Sequence, residues 1–138
     1  MIVGIDLGTT NSLVAVWKDG QACLIPNALG SVLTPSVVSV DDNGQLLVGQ
    51  AAKERLVTHP ALTAAAFKRF MGSQKTYLLG RRAFRPEELS ALVLSSLKAD
   101  AEAWLGEPVS EAIITVPAYF NDIQRNATRI AAELAGLK

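Results

Sequence analysis

Seven residues near the start of the chain, Asp6–Leu7–Gly8–Thr9–Thr10–Asn11–Ser12, constrain the fold more than any other stretch. They are turn chemistry set between two apolar runs, Ile2–Asp6 before and Ser12–Trp17 after, both suited to β-strands. The first run is short and nearly continuous, which predicts a strand buried on both faces. Gly8 lets the backbone turn and lets an anion approach the main chain with no Cβ in the way. The amides of Thr9, Thr10 and Asn11 can then converge on phosphate oxygens as a backbone nest, with threonine hydroxyls as further donors. Asp6, ending its strand, is placed to hold a hydrated divalent cation beside that phosphate. The same string also suits an ordinary hairpin whose Asp, Thr and Asn side chains bond locally. Neither a Gly-Lys-Ser/Thr loop nor a dinucleotide fingerprint occurs in the sequence, so the commoner nucleotide motifs are excluded.

The rest of the chain frames this loop. A reversal at Asp19–Gly20 and a third strand over Gln21–Ile25 complete an antiparallel meander. Strands are predicted at Ser36–Val40 and Leu46–Val48, then helices over Gln50–Val57 and Leu62–Met71, the second stopped by Gly72. Thr76–Phe84 suggests a small hairpin through Gly80–Arg81. Pro86 suits the first position of a helix with Glu87 and Glu88 in its first turn, where carboxylates favour the dipole. Leu89, Leu92, Val93, Leu97, Ala101 and Trp104 fall on one face of that helix, and Gly106 ends it. A strand over Ala112–Val116 is closed by Pro117. A helix follows, capped by Asn121 with Gln124 placed as in a capping box, and buries Ala127, Ile130, Ala131 and Leu134.

Composition narrows the partners. Thirteen basic and thirteen acidic residues cancel, so net charge points to neither nucleic acid nor an acidic membrane. Between Arg55 and Arg85, however, no acid occurs while Lys68, Arg69, Lys75, Arg81 and Arg82 do. That is either a solvated basic face or positive potential beside a polyphosphate. A lone Cys23, no signal peptide and no apolar run of membrane-spanning length make a cytoplasmic location the expectation. His59 has no partner cluster and carries no catalytic or metal expectation.

IVGIDLGTTNSLVAVW resembles the opening of the seventy-kilodalton heat-shock chaperone ATPases of the DnaK type. LTPSVVSV, LLVGQAAK, FKRFMG and ITVPAYFNDIQRNATRIAAELAGL agree in the family's order, so the resemblance spans nearly the whole chain. VAVWKDG and the short segment between Met71 and Arg85 are similar to the HscC-type branch. The resemblance implies an α/β fold of the ribonuclease-H-like, actin-like ATPase kind. Its phosphate-binding core would comprise 1–37 and 90–138, with a smaller insertion over 38–89. It implies ATP or ADP with Mg2+ as cofactors, Gly8, Thr9, Thr10 and Asn11 as the first phosphate loop, and Asp6 orienting magnesium-bound water. Lys68 would position the attacking water, a role its local pattern alone does not suggest. Pro117 and Arg125 match residues that relay nucleotide state, and Tyr119, Asn121 and Asp122 share their segment. The implied partners are unfolded peptide segments, a J-domain co-chaperone and, where one is used, a nucleotide exchange factor.

The family's second phosphate loop, adenosine pocket and peptide-binding domain have no counterpart among these residues, so the chain is expected to be one incomplete lobe, inactive alone. Three rival readings fit less well. A sugar kinase would need a sugar-binding base after the loop, and VPAYFNDIQR points to the chaperones over it and over a filament-forming actin relative. A ribonuclease-H-like nuclease would want further acids near Val116 and a basic surface around them.

Overall fold

The structure, a computed structural model, describes residues 2–137; Met1 and Lys138, which bound the expected core, lie outside the described residues. The first strand, β1 (Ile2–Asp6), buries Val3 and Ile5 and exposes Ile2 and Asp6. It therefore alternates, and does not bury both faces as its apolar run predicts. Helices cover one face. Among the described residues the other is an open hollow of about 370 Å³ lined by Ile2, Gly4, Leu13, Ala15, Trp17 and Ile113.

The meander forms as expected from β1, β2 (Asn11–Lys18) and β3 (Gln21–Leu24). The two-residue β4 (Thr34–Pro35) pairs with the start of β2, setting Asn11 opposite Pro35. A second sheet is made by β5 (Val37–Val40), β6 (Leu46–Val48) and β7 (Thr63–Ala65), in the order β6-β5-β7. Between its strands lie α1 (Gln50–Lys53) and α2 (Arg55–Thr58). β8 (Tyr77–Leu79) and β9 (Arg82–Phe84) form the hairpin through Gly80–Arg81.

Then follow α3 (Pro86–Leu105), β10 (Glu111–Thr115) and α4 (Asp122–Leu134). Gly106 ends α3 in the left-handed region at φ 72°. Asn121 and Gln124 exchange hydrogen bonds of 2.9 Å each, a capping box at the start of α4, and such caps are each worth roughly 1 kcal/mol. β10 returns to lie parallel to β1, with Ile114 beside Ile5 and Thr115 beside Asp6. The main sheet thus runs β10-β1-β2-β3, mixed in direction, with its parallel pair ending at Asp6 and Thr115. One apolar cluster joins Val3, Ile5 and Leu94 to Val38, Phe67 and Leu79, so both sheets share a core.

Three further expectations fail. The helix predicted over Gln50–Val57 is broken at Glu54 into α1 and α2. No helix spans Leu62–Met71. Thr63 pairs with Ser39 and Ala65 with Val37 in the second sheet. The buried Ser39 hydroxyl donates to Leu62 O at 3.0 Å and lies 2.9 Å from Thr63 Oγ1. Those backbone groups go to a sheet, Ala66 turns left-handed at φ 57°, and only a single 3-10 turn, Phe67–Phe70, remains. The third failure concerns helix faces. α4 packs on α3 and buries only small residues, Ala127, Thr128, Ala131 and Ala132. Ile130, Leu134 and Trp104 are left 41%, 59% and 46% exposed.

Candidate functional site

The loop after β1 is held by two buried serines that sequence reasoning did not single out. Gly8 N donates to Ser12 Oγ at 3.2 Å, Ser36 Oγ donates to Gly8 O at 2.8 Å, and the two hydroxyls lie 2.7 Å apart. Ser36 N also donates to Thr10 O at 2.9 Å. The available signal was a hydroxyl at Ser36 directly before an apolar strand, Val37 and Val38. Glycine at position 8 has a local cause as well. A Cβ there would stand 2.0 Å from Asn11 O, so the loop's own carbonyl excludes a side chain, whereas the sequence suggested space for an anion. Thr9 is half-buried and Thr10 exposed. Both line a hollow of about 130 Å³ together with Lys53 and Ala66.

Asp6 stands at the mouth of this loop. Its Oδ1 accepts from Thr115 Oγ1 at 3.3 Å, across the parallel pair. Lys68 comes from the other sheet's side, on the 3-10 turn, and is half-buried. Burial pushes its ammonium below the usual value of 10.5, while the nearby Asp6 charge counteracts this. The two form no ion pair within 4.0 Å; among the described residues the pair at that range is Arg85–Glu87. Lys68 Nζ lies over the ring of Phe120, 5.8 Å from its centroid. Phe120 is a second residue the sequence reading passed over.

The segment after β10 supports that ring. Phe120 N donates to Pro117 O at 3.0 Å, and Arg125 Nε donates to Phe120 O at 3.3 Å. Tyr119 is 80% exposed and meets Phe120 edge-on at 5.6 Å. Asn121 and Asp122 are exposed at the start of α4. Of the predicted site residues, Asp6, Gly8, Thr9, Thr10 and Asn11 lie together at the end of β1, and Lys68 is near enough for the Asp6 charge to act on it. Pro117, Tyr119, Asn121, Asp122 and Arg125 form a neighbouring surface segment that meets Lys68 through Phe120. Apart from Lys68 the basic stretch is exposed, with Lys75 over Phe70 and Tyr77 and Arg82 over Phe84.

Among the described residues no three His, Cys, Asp or Glu side chains converge. The donor set fits magnesium as phosphate sites hold it, by one carboxylate with water and phosphate oxygens completing the shell. Asp6, exposed beside the loop, is the residue that would hold it through water.

The model of the Hsp70 protein family matches this chain in two overlapping segments, residues 2–80 and residues 74–138. The match includes every residue named in the site.

Proposed function

Because the chain belongs to the Hsp70 family, chaperone ATPases with the actin-like ATPase fold, we propose that it forms the phosphate-gripping side of an ATP-binding cleft. Gly8, Thr9, Thr10 and Asn11 cradle the phosphates, and Asp6 holds magnesium through water. Magnesium, when bound, neutralises phosphate charge. Lys68 orients the attacking water and stabilises the charge that develops on the phosphoryl oxygens. The reading is supported by the loop standing at the ends of the parallel strands β1 and β10, where α/β sheets bind ligands, with Lys68 near enough for the Asp6 charge to act on it.

Pro117 and Arg125, with Tyr119, Asn121 and Asp122, relay nucleotide state toward binding and release of unfolded peptide segments. A J-domain co-chaperone and, where one is used, an exchange factor act on that cycle, in the cytoplasm. The hydrogen bonds joining Pro117, Phe120 and Arg125 support this reading. VAVWKDG and the short Met71–Arg85 segment support the HscC-type branch. The test is a titration of the 15N-labelled chain with magnesium-ADP. Weak, fast-exchange binding with shifts centred on Gly8–Asn11 and Lys68 is expected, since this chain carries one phosphate loop. Shifts confined to the α3–α4 side would overturn the assignment.

A further inference from the structure

Gly8 is unusual in that one pair of side chains satisfies both of its backbone groups. The direction of each bond follows from what its groups can donate and accept. A carbonyl only accepts, so the single Ser36 hydroxyl proton goes to Gly8 O at 2.8 Å. The Ser12 hydroxyl, 2.7 Å from Ser36 Oγ, must then donate to it, while accepting from Gly8 N at 3.2 Å. The bonds run head to tail as a closed ring, Gly8 N–H to Ser12 to Ser36 to Gly8 O. Such chains polarise and strengthen one another at low dielectric, and both serines are buried, at 1% and 2% exposure.

We propose that Ser36, together with Ser12, is a positioning residue for the phosphate loop, fixing which way its amides point. In a trans peptide the N–H lies opposite the preceding C=O, and no cis peptide bond occurs among the described residues. With Gly8 O drawn inward to Ser36 Oγ, the N–H of Thr9 is turned away from the buried serines. With Thr10 O drawn to Ser36 N at 2.9 Å, the N–H of Asn11 is turned away likewise. One residue thereby orients alternate donors of the nest before any ligand arrives, and preorganised donors bind an anion without reorienting. What those donors meet rests on the phosphate reading above; the order of the loop does not.

Ser36→Ala removes the hydroxyl that closes the ring, leaves Gly8 O without its partner, and keeps the backbone. The control is Ser39→Ala. Ser39 is equally buried, bonded to Leu62 O at 3.0 Å and reached by Arg55 Nε at 2.8 Å, and touches none of the loop. In the ligand-free chain, Ser36→Ala should speed exchange of the Gly8 amide by about tenfold and lower the order of Thr9 and Thr10. Titrated with magnesium pyrophosphate, it should bind about tenfold more weakly than wild type. Ser39→Ala should lower overall stability yet leave both readouts near wild type. An unchanged Gly8 amide in Ser36→Ala, or equal loosening of the loop in Ser39→Ala, overturns the proposal. Loosening by Ser36→Ala in a chain that ignores pyrophosphate upholds the positioning role and overturns the phosphate reading.

Discussion

The two halves of the site are held by opposite means. The loop from Gly8 to Asn11 is pinned by directional hydrogen bonds to Ser12 and Ser36. The turn that carries Lys68 is held by packing: Phe67 and Met71 are each 2% exposed, and Phe67 and Phe70 meet Tyr77 edge-on at 6.4 and 6.5 Å. Its exit is tight as well, because a Cβ on Gly72 would stand 2.8 Å from Ile123 Cγ2. Hydrogen bonds fix the direction of a backbone dipole, which a phosphate cradle needs. Apolar packing anchors the stem of a long lysine while its ammonium stays free to adjust over Phe120. The cradle is specified by direction and the lysine by location.

Phe67→Ala is the strongest way to break this contrast. Emptying a fully buried ring site should cost about 3–5 kcal/mol of stability in urea unfolding. Under native conditions the Lys68 turn should loosen while the Gly8 amide keeps its protection. Equal loss at both would show that the two halves are one unit.

Next in size is Lys68→Ala, in an ATPase that joins this chain to the remainder of a family ATP-binding domain. Single-turnover hydrolysis should fall by about a hundredfold, with nucleotide affinity much less changed. Wild-type hydrolysis would reduce Lys68 to a surface side chain.

The smallest effect tests the link between the halves. Burial lowers the Lys68 pKa from 10.5 and Asp6 opposes that shift, so Asp6→Asn should lower it further. The sign for stability follows. Where the folded pKa lies below the unfolded one, the unfolded chain binds more protons between them, and stability rises with pH through that window. In Asp6→Asn the window should open at lower pH than in wild type. NMR titration of the Lys68 side chain reads this directly, and an unchanged pKa would mean the halves do not sense each other.

Much of this was written locally. The turn string after Asp6, the Asp19–Gly20 reversal, the Asn121–Gln124 cap and the glycine stop at Gly106 each depend on neighbours a few residues away, and each appears where the residues predict it. The Lys68 turn departs from its local pattern because its fate depends on distant partners. Thr63–Ala65 has helix-compatible residues, yet pairing with Val37–Ser39 claims its backbone.

The loop, the meander, the strand-to-helix unit at the end and the family they resemble are thus legible in the residues alone, since turn chemistry and periodicity act over short range. Long-range packing sets that β1 buries one face, that α4 buries small residues with Ile130 and Leu134 outside, and that Ser36 closes on Gly8 across 28 residues of chain. It also brought Phe120 beneath Lys68. Those contacts join residues remote in sequence, and a hydroxyl or a ring carries no mark of its partner until the chain has packed.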